Sequence, residues 1–220
     1  VSIPLYPNEH FYIITEPIKN LPKNLPVFRD YNNCLYLKED AGKMLVGIFE
    51  PNAKNAFKEK GLVPNNFSFA EFPDDFDHFE PYLEKSFYRL PMLETSGVRK
   101  FFSGPESFTP DTQYLLGETA EVNNLYVCCG FNSIGIASSG GAGRVTAEWM
   151  VNGYMNEDLY SLDIKRFQKF HSSKKFIMNR VTETLGDLYG MHWPYKQHKT
   201  SRNQRLLPYH EDLKKNGACF

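Results

Sequence analysis

A histidine and two tyrosines near the start of the chain have the residue types and spacing to do chemistry. His10 and Tyr12 stand two apart in a run of β-branched and aromatic residues, 10–16. Residues two apart on a β-strand share a face, so both side chains would point into one pocket or one core. Tyr36 lies between two leucines and by the same alternation faces away from them. Histidine can hold or move a proton near neutral pH. Residue types alone still favour a hydrogen-bonded core histidine and an ordinary surface tyrosine.

A second stretch joins an apolar run to a glycine-rich segment. Residues 125–129 carry no charge and are typical of a short buried strand, in which Cys128 and Cys129 would be small buried residues. Glycines permit tight turns and close approach of another molecule, and the N–H groups at a helix start attract phosphate or another electron-rich group. The stretch lacks the dinucleotide and P-loop fingerprints, so a plain strand-to-helix connection is the alternative. The glycines are Gly130, Gly135, Gly140, Gly141 and Gly143.

Composition restricts the class of protein. A chain of 220 residues that is 41% hydrophobic and 15% aromatic can build a packed core in one large or two small domains. The formal net charge of −1 gives no general attraction to nucleic acid or an anionic membrane, and no apolar run in the sequence is long enough to span a bilayer. The basic tail 196–205 has sparse charges without interleaved aromatics, which indicates solvated surface instead of an RNA site.

The four cysteines form no Cys-x-x-Cys pair, and no histidine stands near them at metal spacing. We therefore predict neither a disulfide framework nor a metal site, and we expect an intracellular compartment.

Hydrophobic periodicity predicts an α+β fold, a mainly antiparallel sheet with helices on one side. Turns are expected at Gly104-Pro105 and 109–111. The segment 51–72 is predicted to be irregular or weakly helical, and 192–208 to be irregular. Strands are predicted at 10–16, 34–38, 43–49, 98–102, 113–116 and 125–129, the second and third as a hairpin. Helices are predicted at 74–94, from Ala142 to a C-cap at Gly153 with Val145, Trp149 and Met150 on one face, at 163–170 and at 174–188.

The glycine-rich stretch closely resembles the C-terminal flavin-contacting segment of the sarcosine and dimethylglycine dehydrogenase family, within the D-amino-acid-oxidase-like flavoproteins. The resemblance rests on Gly130-Phe-Asn-Ser133, Gly135, Gly140-Gly-Ala-Gly143 and Glu148-Trp149. Near the N-terminus, the proline-rich lead into His10-x-Tyr12 and the later Leu35-Tyr36 resemble further landmarks of that family.

The resemblance implies a pocket beside the ring of bound FAD, with His10 and Tyr36 as catalytic residues and Tyr12 binding substrate. The residues that it implies to contact FAD are Gly130, Phe131, Asn132, Ser133, Ile134, Gly135 and Ile136.

The implied reaction is the oxidative demethylation of an N-methyl amine such as sarcosine or dimethylglycine, with hydride passing from the N-methyl carbon to FAD. The amine must be neutral to react, and a histidine with its ordinary pKa of ~6.5 could take the proton. Related oxidases carry lysines at positions comparable to Leu45 and Ala137. The apolar residues here favour a dehydrogenase with a protein electron acceptor. An oxidase that releases hydrogen peroxide and a non-catalytic interaction module are the alternatives.

The resemblance covers essentially the whole chain and implies three parts. Residues 1–118 would form the substrate-binding domain, 119–153 the C-terminal portion of the FAD domain, and 154–220 a helical extension and linker towards a folate-binding domain. A dinucleotide fold for the ADP half of FAD and a domain for tetrahydrofolate, the one-carbon acceptor, would lie outside this fragment. The chain alone is therefore expected to bind FAD weakly or not at all and to be inactive. The expected compartment is the cytoplasm in a bacterium or the mitochondrial matrix in a eukaryote.

Overall fold

The computed structural model describes residues 1–191 and 196–220, and its architecture is the predicted α+β fold. One antiparallel sheet has five strands in the order β2–β3–β4–β1–β5, and a small antiparallel sheet pairs β6 with β7. The strands are β1 (Tyr6–Thr15), β2 (Phe28–Asp30), β3 (Leu35–Asp40), β4 (Lys43–Ile48), β5 (Val98–Phe108), β6 (Leu115–Glu118) and β7 (Tyr126–Cys129). The α-helices are α1 (Phe76–Arg89), α2 (Gly135–Asn152), α3 (Lys174–Asp187) and α4 (His210–Lys215). None of these helices is long and apolar enough to cross a membrane.

Strand alternation divides the five-stranded sheet into two faces. Residues directly opposite each other in an antiparallel pair share a face. Tyr12 lies opposite Gly47 on β4 and Phe102 on β5, while Tyr36 also lies opposite Gly47, so these residues mark one face, which we call the pocket face. The other face, which we call the α1 face, carries Phe11, Ile13, Leu35, Leu37, Met44, Val46, Ile48 and Phe101, all buried.

The α1 face is closed by the helix that the sequence predicted. The carboxylate of Asp75 accepts a hydrogen bond from the backbone N–H of His78 and caps the helix start. Phe79 is fully buried against the sheet, and the rest of the apolar stripe of α1 packs around it. Pro81 lies inside the helix without ending it. The predicted hairpin of β3 and β4 is confirmed as well.

The pocket face is covered over only part of its length. Helix α3, predicted at 174–188, packs Val181 and Leu185 against Tyr6 and Phe108 at one end of this face. The side-chain amide of Asn8 donates to the carbonyl of Val181 at 2.7 Å, which ties α3 to β1. The next residue of β1 on this face is His10, opposite Gly104 of β5.

The predicted turn at Gly104-Pro105 is wrong, because β5 continues through it to Phe108 and stays paired with β1. β5 is the edge strand of its sheet, where a proline is tolerated because its missing N–H need not meet a neighbour. The extension places Glu106 on the pocket face, opposite Asn8. The sequence also missed the short edge strand β2.

Helix α2 begins at Gly135, seven residues before the predicted start, so most of the predicted glycine loop is helix. Val145 and Trp149 are buried as expected, and Gly153 ends the helix with φ 77°, but Met150 is exposed. Three glycines inside α2 have no neighbour within 4 Å of an added Cβ: Gly140, Gly141 and Gly143.

The predicted buried strand 125–129 is a part-exposed strand, because β7 pairs with β6 in a sheet of two strands. Cys128 is exposed and Cys129 is half-buried. Leu125 is also exposed and lies outside the strand.

The predicted helix 163–170 is wrong as well. The chain there forms separate 3-10 turns, Ile164–Arg166 and Lys169–Ser172. The guanidinium of Arg166 binds the Asp111 carboxylate at 2.8 Å. This segment is therefore held by a contact with a distant residue and not by the hydrogen bonds of a continuous helix. Of the predicted irregular stretch 192–208, residues 192–195 lie outside the described residues, and the rest is irregular up to α4, which the sequence missed.

Candidate active site

A cleft of about 390 Å³ opens on the pocket face, in the size range of small-molecule sites. It brings together three residues that the sequence singled out, His10, Tyr12 and Tyr36, and it places them across from Ser133 of the predicted flavin segment. The other lining residues are Ala70, Phe102, Gly104, Pro105 and Glu106.

The centre of the cleft is a hydrogen-bonded pair, His10 and Tyr36. The Nε2 atom of His10 lies 3.3 Å from the Tyr36 hydroxyl, and the two rings are nearly parallel. Phe49 packs against both rings, with centroids 4.7 Å from His10 and 5.5 Å from Tyr36. Gly47 makes room for this arrangement, because a Cβ there would lie 2.0 Å from Cζ of Tyr36. The glycine is therefore a steric requirement of the pair.

Burial makes both members of the pair neutral. It lowers the pKa of His10 to about 4, because the charged imidazolium loses its hydration. Burial also raises the pKa of Tyr36, and the negative charge of Glu106 adds to this shift. The ordinary histidine pKa used in the sequence argument does not hold here. At neutral pH, His10 is a neutral donor and acceptor and a weak base, and Tyr36 is a protonated hydroxyl.

Tyr12 belongs to an aromatic floor beside the pair. Its ring stacks on Phe102 with centroids 4.5 Å apart, and Phe102 in turn lies over Gly104, where an added Cβ would come within 2.8 Å of the ring. Aromatic rings of this kind pack well against the methyl groups of a ligand and exclude water from that contact. The role of Tyr12 in substrate binding stays a prediction.

Glu106 is a lining residue that the sequence argument missed. Its Oε2 atom accepts a hydrogen bond from Oγ of Ser133 at 2.7 Å and lies 4.0 Å from Nδ1 of His10. Burial raises the pKa of this carboxyl. The sequence did contain a signal for it. Phe102, Gly104 and Glu106 are two residues apart, so they share a face if the strand continues through the expected turn.

Three residues of the predicted flavin segment serve to hold it in place. Gly130 has φ 70°, and a Cβ there would lie 2.5 Å from Leu5. The buried side chain of Asn132 accepts from the backbone N–H of Thr109 at 2.9 Å and donates to the carbonyl of Gly130 at 2.7 Å. Phe131 stacks on Tyr114. These side chains face the protein, so any contact with FAD here would come from backbone atoms.

The rest of the segment is presented outwards. Ser133 has φ 68° and is exposed, and the side chain of Ile136 is fully exposed. Ile134 and Gly135 lead into α2, which starts without a side-chain cap. The first N–H groups of an uncapped helix can donate to an electron-rich group such as a carbonyl of a flavin ring. The segment therefore fits contact with the ring portion of FAD.

Leu45 and Ala137 are the two apolar residues on which the expectation of a dehydrogenase rests, and that expectation stays a prediction. Leu45 lies on the pocket face, opposite Ile14 and Lys38, and Ala137 is exposed in the first turn of α2. The described residues that line the cleft include no lysine or arginine. Within residues 1–191 and 196–220, no cluster of His, Cys, Asp and Glu side chains is arranged to hold a metal ion, and all four cysteines are free thiols.

The sequence of this chain is similar to those of an oxidase, a regulatory subunit and a dehydrogenase. Over its full length it is 40% identical to 4-methylaminobutanoate oxidase (formaldehyde-forming) of Paenarthrobacter nicotinovorans, of which it covers 26%. Over 99% of its length it is 38% identical to the mitochondrial pyruvate dehydrogenase phosphatase regulatory subunit of Mus musculus, covering 25% of that protein. Mitochondrial sarcosine dehydrogenase of Mus musculus is 36% identical over the whole chain, which covers 24% of it. The chain thus spans about a quarter of the length of each relative.

Solved structures agree on the fold. L-Proline dehydrogenase from P. horikoshii superimposes with a TM-score of 0.61 and 21% identity over 76% of this chain and 41% of that one. Glycine oxidase from Geobacillus kaustophilus gives a TM-score of 0.57 and 19% identity over the same shares of the two chains. A family model for FAD dependent oxidoreductases matches residues 1–149, and one for the FAD dependent oxidoreductase central domain matches 152–206. This chain belongs to the FAD-dependent oxidoreductase family.

Proposed function

We propose that the protein carrying this chain oxidises an N-methyl amine, such as sarcosine or dimethylglycine, by hydride transfer from the N-methyl carbon to FAD. The observation that carries the proposal is the neutral His10–Tyr36 pair facing Ser133 of the flavin segment across a cleft of about 390 Å³. FAD, when bound, supplies the two-electron acceptor. Backbone atoms of residues 130–136 would hold its ring at the mouth of the cleft.

The residues of the chain bind and orient the amine. The nitrogen must keep its lone pair for oxidation, and a neutral His10 can hydrogen-bond an amine without repelling a positive charge. The Tyr36 hydroxyl hydrogen-bonds to Nε2 and so helps to fix the plane of the imidazole. Tyr12 and Phe102 would pack against the methyl group. In this arrangement His10 acts at the reacting nitrogen, Tyr36 supports the histidine, and the aromatic floor positions the carbon.

A dehydrogenase that passes electrons to an acceptor protein is our first choice, supported by the apolar residues Leu45 and Ala137. An oxidase is the alternative, and one relative carries that name. Oxygen consumption with release of hydrogen peroxide during turnover would favour the oxidase, whereas turnover that requires an added electron acceptor would favour the dehydrogenase.

We further propose the three-part organisation, with 1–118 binding substrate, 119–153 completing an FAD domain and 154–220 leading to a folate domain. The packing of α3 on β1 supports an extension that folds back on the substrate domain. The pairing of β6 with β7 crosses residue 118, so the first two parts share a small sheet. In this proposal the one-carbon unit of the product passes to tetrahydrofolate in a separate domain. The compartment would be the mitochondrial matrix in a eukaryote or the cytoplasm in a bacterium.

A non-catalytic module is the second candidate function. The observation that favours it is the 38% identity to a protein named as a regulatory subunit. In that case the cleft would bind a ligand or FAD without turnover, and substitutions of His10 and Tyr36 would leave partner binding unchanged.

The decisive experiment is anaerobic reduction of the flavin in the FAD-loaded full-length protein. Sarcosine, dimethylglycine and 4-methylaminobutanoate are added separately, and the loss of flavin absorbance is followed. We expect one of them to bleach the flavin, and Tyr36→Phe to slow the bleaching by about 10-fold or more. Tyr154→Phe, a matched change at an exposed tyrosine outside the cleft, should leave the rate unchanged. A flavin that none of the three amines reduces would contradict the proposal and favour the module.

A further inference from the structure

The cleft contains one carboxylate to which the proposed reaction gives no role. Glu106 lines the cleft, and 32% of its side chain is exposed. Ser133 donates to its Oε2 atom at 2.7 Å, which leaves the other oxygen and the remaining lone pairs of the carboxylate for a ligand. Since the described lining holds no lysine or arginine, this carboxylate meets no cation in the cleft.

A buried nitrogen without a partner lies beside this carboxylate. Nδ1 of His10 is buried and has no hydrogen-bond partner among the described residues, although an unpaired buried nitrogen is costly. It lies 4.0 Å from Oε2 of Glu106, too far for a direct hydrogen bond. At ordinary hydrogen-bond lengths of ~2.9 Å, one ammonium nitrogen could reach both acceptors, whose directions from it would be about 90° apart. The N–H bonds of an alkylammonium group are about 110° apart, so each hydrogen bond would bend by only about 10° from linear.

We propose that Glu106 binds the ammonium group of the substrate and accepts its proton before oxidation. The inference rests on the proposed function and names the residue that makes the amine reactive. The N–H bond breaks, an O–H bond forms on the carboxylate, and the nitrogen keeps the electron pair as its lone pair. In a secondary amine such as sarcosine, whose ammonium form has two N–H bonds, His10 holds the amine through Nδ1 during this transfer.

The local chemistry supports the assignment over His10 as the base. Burial lowers the pKa of His10 and raises that of Glu106, so the carboxylate is the better proton acceptor of the two. The titratable groups that face Glu106 in the cleft are His10 and Tyr12 on β1 and Tyr36 on β3. Ser133 fixes the carboxylate and joins it to the flavin segment, so proton acceptor and hydride acceptor would stand side by side.

The test compares two ligands of nearly the same shape in the FAD-loaded full-length protein. N,N,N-Trimethylglycine carries a cationic quaternary ammonium group that has no proton to lose. 3,3-Dimethylbutanoate has the same carboxylate, with an uncharged tert-butyl group in place of the ammonium. Calorimetry measures both affinities without turnover. We expect wild type to bind the cation about 10-fold tighter or more, and Glu106→Gln to bring the ratio close to one. Glu106→Asp should keep part of the preference.

The control is Glu71→Gln, the same change at a carboxylate outside the cleft that pairs with Lys100, and it should keep the wild-type ratio. A second measurement follows flavin reduction by sarcosine against pH, where Glu106→Gln should slow reduction about 100-fold and remove the acidic limb. The inference is overturned if Glu106→Gln keeps the cation preference, or if wild type has none or binds neither ligand. If no N-methyl amine reduces the wild-type flavin, the proposed function fails, while the calorimetric ratio still decides the role of Glu106.

Discussion

The two faces of the five-stranded sheet are made from the same strands, yet one is a buried apolar core and the other lines a cleft with polar side chains. On the α1 face, Phe11 and Val46 are fully buried under a helix. On the pocket face, the neighbours of these residues in the sequence include Tyr12 and Gly47, which line or underlie a cleft. The difference arises from alternation alone, since successive side chains of a strand point to opposite faces.

Adjacent residues of one strand serve different purposes: one stabilises the sheet in the core, and the next lines the cleft. The α1 face is a continuous apolar surface, and its burial stabilises the sheet. The pocket face can then carry a buried histidine, a tyrosine and a carboxylate, whose burial costs free energy, because the opposite side supplies the stability. Substitutions on the two faces should therefore affect different measurements.

The largest effect on stability is expected on the α1 face. Phe11→Ala removes a ring that is 0% exposed and contacts Phe101, and it should lower the free energy of unfolding by about 3–5 kcal/mol. Tyr12→Ala, the adjacent residue on the pocket face, should cost about 1 kcal/mol, mainly from the lost stacking on Phe102. Urea titrations of both variants measure the difference. Equal losses would show that the two faces share the stabilising core.

The next effect is a pH dependence of the free energy of unfolding, caused by His10 on the pocket face. The pKa of His10 is about 4 in the folded protein, against the ordinary histidine value of 6.5 in the unfolded chain. Between these values the unfolded chain binds a proton that the folded chain does not. The free energy of unfolding should therefore fall as the pH drops from 6.5 to 4, by about 3 kcal/mol in total. His10→Gln should lose this part of the acid sensitivity. Identical pH profiles for the two proteins would refute a buried neutral His10.

A smaller effect on stability, with a large one on activity, is expected at Gly47. In Gly47→Ala the new Cβ would overlap the Tyr36 ring, so the ring must move away from His10. Overpacking of this kind costs about 1–3 kcal/mol. Flavin reduction should fall further than in Tyr36→Phe, because the ring itself is displaced. Gly97→Ala is the matched control, since its Cβ would meet only the Glu16 side chain at 3.3 Å, and it should change stability by at most about 0.5 kcal/mol.

The smallest effect on stability is expected for Tyr12→Phe, which keeps the stacked ring and removes the hydroxyl. The free energy of unfolding should change by less than about 0.5 kcal/mol. If the hydroxyl binds substrate, KM should rise by about 10-fold with little change in kcat. Steady-state kinetics of the FAD-loaded protein with the amine that reduces it provide the measurement. An unchanged KM would limit Tyr12 to the aromatic floor.

The hydrophobic pattern of the sequence predicted those helices and hairpins whose residues are close together in the chain. The hairpin of β3 and β4, the amphipathic α1 and the helix α3 follow from hydrophobic period and turn residues. The misplacements came where tertiary contacts override propensity. β5 passes through Gly104-Pro105 because it is an edge strand held by β1, and the glycines after Gly135 are helical despite their low propensity.

The candidate site divides in the same way. Alternation placed His10 with Tyr12 on one face and turned Tyr36 away from its flanking leucines, and the resemblance to the sarcosine and dimethylglycine dehydrogenases connected them to a flavin pocket. Glu106 was missed because a predicted turn hid its strand.

Most of the elements, the alternation of side chains along each strand and the family can therefore be read from the amino-acid sequence alone. Which residues meet depends on the tertiary fold: Tyr36 reaches His10 across β4, Gly47 leaves room for the ring, and Ser133 comes back to Glu106. The fold also sets the charge of His10, because the burial that lowers its pKa is supplied by distant parts of the chain. The physical reason is that periodicity acts between neighbours, whereas register, burial and electrostatics depend on residues far apart in the sequence.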